Sequence, residues 1–304
     1  MKTLLIGNGL NRCLNTNIDW GNLLNSMKEH YHLKDKIHPD ISFPMQFECI
    51  ANHVSKQKHH KNVYTLLKEE IASKVKEIKA IDDKEMVPHS YFLKDKRYKR
   101  ILTTNYDYVI EDYLKHTYNL ADEDLTSNQK EIKYSLRRYR KLQDTYIFHI
   151  HGEADKPETL CLGYEHYAGT IQYLRGKLAL KETSPLLHVL KNKQVTPDII
   201  ETYSWAILFL IDDIEIIGLG LDESEIDLWW LISYRAYLKN MHPEASRYIH
   251  NTITYHEIIS EHSDLQYIKK RKSLFDSMDI QYTMHEVKHS NYLEGYYDIA
   301  KTIE

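Results

Sequence analysis

Glycine is scarce in this chain, with 10 in 304 residues, and cysteine is scarcer, with 3. Cys13, Cys49 and Cys161 stand far apart and form no CxxC pair. That excludes a disulfide framework and a cysteine-based zinc module. Neither sign of charge dominates: 40 Lys and Arg against 44 Asp and Glu give a formal net charge of -4. Such a balance argues against a protein that holds nucleic acid through bulk electrostatics. Long apolar runs are missing as well. The opening run Leu4-Leu5-Ile6 stops at Gly7, too short for a secretory leader. The stretch from Trp205 to Leu221 is broken by Asp212, Asp213 and Glu215, so it will not span a bilayer. The expected compartment is the cytoplasm.

What is there has the balance of a globular protein, 42% apolar and 28% charged. A chain of this length buries most of its apolar surface without staples. Thr3–Ile6, Arg100–Thr104, Tyr146–His151 and Ile214–Ile217 read as buried strands, each stopping in small or polar residues. Ile249–Tyr255 and Ile280–Val287 read as two more. Asp19 ahead of Trp20, Leu23, Leu24 and Met27 predicts an N-capped helix. Met45–His53, Val63–Ile78, Leu265–Phe275 and the segments opening at Val109 and Ile226 read as further helices. The polar stretch Asp122–Lys141 reads as a helical insertion or a surface loop. This alternation predicts an α/β fold in one domain over 1–304: a Rossmann-like, mostly parallel sheet with helices on both faces. Helical insertions are expected near 25–95 and 153–212. In such sheets ligands bind beyond the carboxyl ends of the strands, which makes the strand-end motifs one candidate site.

Four motifs stand there. Gly7-Asn8-Gly9-Leu10-Asn11-Arg12 offers two glycines that let backbone approach a pyrophosphate, with a following helix N-terminus to favour its charge. Arg12 stands where a dinucleotide fingerprint has its third glycine, and reads as a phosphate or carboxylate clamp. The same residues also suit a plain tight turn. Thr103-Thr104-Asn105-Tyr106-Asp107 sets an Asn and an Asp where they can bind a ribose or a water, or make an Asx turn. In His149-Ile150-His151-Gly152-Glu153 two histidines at spacing two share one strand face, a spacing that also suits a metal, with Asp155 as a third ligand. No metal is expected, because no fuller ligand set is near. His151, last before a glycine, is the better general base, and His149 a hydrogen-bonded residue behind it. Gly218-Leu219-Gly220-Leu221-Asp222-Glu223-Ser224-Glu225 supplies another glycine-rich wall, with Asp222 or Glu223 for a ribose hydroxyl, or with Asp222 or Ser224 capping the next helix. The basic runs at Lys94–Arg100, Arg137–Lys141 and Lys269–Lys272, and His59 with His60, read as solvated surface rather than a nucleic-acid face.

In this order the motifs resemble the sirtuin-like family, especially its short, zinc-less bacterial branch found in anti-phage defence. GNGLNR looks like that family's phosphate-binding loop, and Asp19-Trp20 with Leu23-Leu24 like the helix after it. TTNYD with Glu111 is similar to its TTNYDxxxE signature, His151-Gly152 to its catalytic His-Gly, and GLGLDESEID to its late glycine loop. The abortive-infection family AbiH also opens on IGNG and carries HIHG.

The resemblance implies NAD as substrate and a glycohydrolase that cleaves its nicotinamide–ribose bond and depletes NAD. Asn105 and His151 are the implied catalytic pair, Asn105 holding a water or the ribose hydroxyls and His151 acting as base. Gly7, Asn8, Gly9, Asn11, Arg12, Thr104, Asp107, Gly218, Gly220 and Asp222 are the implied binding set. A site of this kind works chiefly by positioning and electrostatics. Alternatives from other classes are a non-catalytic sensor of NAD or a related nucleotide, an NAD-dependent deacylase, which the missing zinc module disfavours, and a DNA-binding regulator, which charge disfavours. Unchecked NAD hydrolysis is toxic, so regulation is expected from a homo-oligomer or from a partner such as a co-encoded ATPase or a phage component. The 24 tyrosines fit an interface, or simply cover helices.

Overall fold

The structure is a computed structural model that describes residues 1–14, 19–58, 62–78, 87–94, 98–128, 133–180 and 185–303. The strands are β1 (Lys2–Ile6), β2 (Arg100–Thr103), β3 (Leu125–Asn128), β4 (Tyr139–Leu142), β5 (Thr145–His149), β6 (Asp213–Ile217), β7 (Ile253–Ser260) and β8 (Gln281–Val287). They form one eight-stranded sheet in the order β3-β4-β5-β2-β1-β6-β7-β8. From β5 to β8 all neighbours are parallel, and β3 and β4 add an antiparallel edge. The expected α/β fold, Rossmann-like and mostly parallel, is the one observed.

Continuous apolar strands suit a sheet covered on both faces, and the side chains divide accordingly. Leu5, Leu102, Phe148 and Ile216 enter one core with the helices Tyr164–Leu178, Pro185–Asn192 and Ile226–Asn240. Leu4, Ile6, Ile101, Ile147 and Ile217 enter the opposite core with the helices Val87–Leu93, Val109–Tyr118 and Tyr292–Thr302. This is the period-two alternation of a strand, read on both sides. Helices Trp20–His30, Phe43–Lys58 and Val63–Val75 build a third cluster over Tyr106, Val109, Leu160 and Leu162. That cluster lies beside the strand ends and walls the site. Asp19 caps the first of these helices by accepting from the Asn22 amide at 2.8 Å.

The register brings the ends of the four central strands level: Ile6 pairs with Thr103 and with Ile217, and Thr103 with His149. The apolar stretch after Trp205 is core, with Trp205, Ala206, Ile207, Leu208 and Phe209 fully buried. No helix of the described residues is long and apolar enough to cross a membrane.

Three readings of the sequence need correction. Asp122–Lys141 is neither helix nor plain loop: its described part carries β3 and β4, whose charged, partly exposed residues suit an edge. β7 starts at Ile253, because Asn251 is held by Arg235 and by the carbonyls of Phe209 and Asp212. The tyrosines are not all available to an interface: Tyr31, Tyr98, Tyr106, Tyr113, Tyr255 and Tyr296 are core residues, whereas Tyr64, Tyr237, Tyr267, Tyr292 and Tyr297 are exposed. His59 and His60 lie outside the described residues, as do 95–97 of the first basic run. In the last basic run Arg271 turns inward, pairing with Glu257 at 3.0 Å and lying over Tyr255.

Candidate active site

A cavity of about 260 Å³ opens at the level strand ends. Its lining takes in Asn8, Gly9 and Arg12 after β1, Thr104, Asn105 and Asp107 after β2, and His151 after β5. Gly218, Gly220 and Asp222 come in after β6. Motifs that the chain separates by up to two hundred residues thus meet at one place.

Gly7, Gly9 and Gly218 also serve a purpose that their spacing does not announce. Gly9 N–H donates to the Gly218 carbonyl at 2.7 Å, and Gly7 N–H to the Ile217 carbonyl at 3.0 Å. A Cβ on Gly7 would lie 2.5 Å from Leu219 Cα, and one on Gly9 2.7 Å from the Gly218 oxygen. The missing side chains let the two glycine loops pack on each other, and so fix the cavity floor. Gly7 itself does not line the cavity. The loop is followed by a 3-10 turn, Asn11–Cys13, rather than by an α-helix N-terminus. Arg12, 70% exposed, sits at the mouth 3.7 Å from Asp19.

Asn11, expected to bind ligand, is instead buried in a lock between loops. Its amide donates to Asp107 Oδ2 at 2.8 Å, and its oxygen accepts from His89 Nε2 at 3.1 Å. Burial pushes His89 down to about 4, so the ring is neutral and can play that donor role. The other oxygen of Asp107 accepts from the Val109 amide at 3.1 Å. With both oxygens engaged, Asp107, expected in the binding set, ties its loop to Asn11 and to the start of the next helix. Asn105 is 7% exposed and reaches the Gly7 carbonyl with its amide at 3.5 Å.

The two histidines do not share a face. β5 ends at His149, so the alternation that would align them stops there. His149 Nε2 meets Glu111 Oε1 at 2.9 Å and its Nδ1 meets the Asn105 carbonyl at 2.8 Å. Both partners are acceptors, so the ring needs both protons. Burial opposes that charge, but Glu111 and then Glu153 outweigh it and raise His149 to about 9. His149 therefore positions the Asn105 backbone from behind. Asp155 binds Lys76 and Arg140 instead of completing a metal site.

His151 lies between two carboxylates that sequence analysis did not pair with it. Its Nε2 is 3.2 Å from Asp227 Oδ2 and its Nδ1 3.6 Å from Glu225 Oε2, and the Tyr167 ring packs edge-on against it. Burial again opposes the charge; Asp227 and Glu225 overcome it and raise His151 to about 9. The flanking carboxylates favour the protonated ring, so a His151 acting as base would have to give up its proton against them. His151, Glu225 and Asp227 are the one group among the described residues whose ligand atoms all lie within 4.8 Å of one another. The carboxylates address opposite nitrogens of the ring.

Glu225 and Asp227 stand at the start of a helix, which neither Asp222 nor Ser224 caps. The helix begins after Glu225, while Asp222 Oδ1 accepts from the Ser224 amide. Tyr106, Trp20 and Tyr167 complete the wall.

Residues 99–195 match the model of a family described as a SIR2-like domain. The matched stretch begins just before β2 and carries Asn105, Asp107, Glu111, His149 and His151. Both glycine loops and the carboxylates facing His151 lie outside it. A comparison with curated proteins finds no match. SIR2-like domains are NAD-dependent enzymes, so the match supports a sirtuin-like family and an NAD-related activity.

Proposed function

We propose that this chain is an NAD glycohydrolase, cleaving the bond between nicotinamide and ribose. One observation carries the reading: Asn105 and His151, both inside the SIR2-like stretch, line the same cavity as the two glycine loops. The chemistry demands little else. Nicotinamide leaves as a neutral base from a cationic precursor, so no general acid is needed. The ribose left behind is oxocarbenium-like and needs negative charge nearby and an oriented water. With His151 cationic, Asp227 and Glu225 anionic, the trio carries a net negative charge suited to that transition state. Asn105 is the residue we assign to hold the water or the ribose hydroxyls. Gly9, Asn8, Arg12, Thr104, Gly218, Gly220 and Asp222 are assigned to the rest of the dinucleotide, with Gly7, Asn11 and Asp107 supporting their loops. The enclosed volume is at the small end for ligand clefts. It suits one ribose and its base, the remainder of NAD lying along the mouth near Arg12.

The finer biology we propose is an NAD-depleting effector in anti-phage defence, with a low but measurable turnover alone that self-association or a partner raises. The test of the activity is direct: pure protein is incubated with NAD and nicotinamide release is followed. Asn105→Ala is expected to lower the rate by about 10²–10³-fold while leaving the fold intact. Full activity in that variant, or no release by the parent protein, would refute the assignment.

A further inference from the structure

If the cavity cleaves NAD, its chemistry needs a group to take the proton of the attacking water, and His151 is poorly suited to the task. Its two nitrogens already face Asp227 and Glu225 at 3.2 and 3.6 Å. The other carboxylates around the cavity are also committed. Asp107 uses both oxygens to hold loops. Asp227 is fully buried, accepts from the Leu228 amide as well as facing His151, and is not among the lining residues. Asp19 caps a helix and pairs with Arg12. Asp222 is exposed and bound to the Ser224 amide.

Glu225 differs from all of these. It lines the cavity, its side chain is 22% exposed, and it can therefore pass a proton on to solvent. Oε2 takes the Tyr167 hydroxyl at 3.1 Å and faces His151. Among the described residues no hydrogen bond occupies Oε1.

We propose that Glu225 is the catalytic proton acceptor of this cavity, with His151 and Tyr167 as the residues that position it. The step balances without a further reactant. The water oxygen bonds to ribose C1′, and the C1′–N bond breaks with its electron pair going to the pyridine nitrogen. The water proton passes to Glu225 and from there to solvent. The groups facing Glu225 set its basicity: His151 after β5, Tyr167 and Cys161 from the segment after it, Tyr106 after β2, and Asp222 and Asp227 on its own element. Burial raises Glu225 above the ordinary carboxylate range, and the His151 cation pulls the other way, so it accepts a proton more readily than a surface glutamate.

This assignment rests on the NAD-cleaving reading, and the tests keep the two apart. Glu225→Gln keeps the shape and can still accept from Tyr167, but it cannot take a proton. Its kcat is expected to fall by about 10²–10⁴-fold, with KM within a few-fold of the parent. Azide brings no proton to be removed, so it should restore nicotinamide release to Glu225→Gln and yield an azido product. It should not restore His151→Asn. Rescue of His151→Asn and not of Glu225→Gln would return the base to His151 and overturn the proposal. An unchanged kcat in Glu225→Gln, with the parent protein active, would overturn it while sparing the NAD reading. A parent protein that leaves NAD intact would remove both. Independently of turnover, nitrogen NMR of labelled histidine should find His151 protonated at pH 7, identified by the resonance lost in His151→Asn. A neutral ring at that pH would overturn the assignment whatever the substrate.

Discussion

Replacing Glu111 by alanine tests how the β2 loop is held. Glu111 is 1% exposed and meets His149 at 2.9 Å, and His149 in turn donates to the Asn105 carbonyl. Removing the carboxylate leaves the fully buried imidazolium without its direct partner and with only the more distant Glu153 to offset burial, so the ring holds its proton far less tightly. Two routes give the cost. Breaking a buried ion pair by deleting one member costs about 3–5 kcal/mol. A histidine that titrates at about 9 when folded, against 6.5 ordinarily, contributes about 3 kcal/mol at pH 7. The agreement assigns most of the loss to charge.

The sign then dictates the pH dependence. The folded value is raised, so the stabilisation is complete below pH 6.5 and is lost as pH rises through 9. Urea unfolding of parent and Glu111→Ala at pH 7 and at pH 10 measures it. The gap between the two proteins should shrink by about 3 kcal/mol over that interval. His151 titrates in both proteins and cancels. Nicotinamide release should fall too, because Asn105 loses its anchor. A gap that stays constant from pH 7 to pH 10 would show that Glu111 acts by packing alone, and the charge argument would fail.

Gly152 has φ of +100°, and a Cβ there would lie 2.3 Å from the Thr159 carbonyl. Gly152→Ala should therefore lower the melting temperature markedly, the backbone strain alone costing about 1–3 kcal/mol; an unshifted melting curve would contradict the geometry. Arg12→Ala should raise KM for NAD by about tenfold or more with kcat little changed, as loss of a charge-assisted contact made equally in ground and transition states. A fall in kcat at constant KM would move Arg12 from binding to chemistry. Chelation should leave nicotinamide release unchanged, and elemental analysis should find less than one metal per chain, because the two carboxylates flank opposite nitrogens of His151. Stoichiometric zinc lost on His151→Asn would reverse that view.

The central sheet was legible because its strands are short apolar runs that stop at Gly, Asn or His, a pattern set by burial on both faces. β3 and β4 were not, since the edge strand β3 is polar and β4 beside it keeps Tyr139, Arg140 and Lys141 in partial contact with solvent, so neither carries such a pattern. The strand-end residues were legible as a group for the same topological reason. Their partners were not: Asn11 and Asp107 are 96 positions apart, and His151 and Asp227 are 76. Such distant pairs leave no local spacing, and Glu225 and Asp227 look like any acidic helix start. The packing of the glycine loops on each other was not legible either, because a bare backbone looks the same whether it faces a phosphate or a second loop.

The pairing of β1 with β6 has a consequence in time. β1 is made well before β6, yet β6 is one of its two neighbours, with Lys2 opposite Asp213. At ordinary elongation rates that neighbour follows roughly 10–40 s later. Until it docks, the Gly7–Gly9 loop has nothing to rest on, and the carboxylates that hold His151 have not yet been synthesised. An emerging chain on the ribosome therefore has Asn105 and His151 but no cavity around them until the loop after β6 has followed.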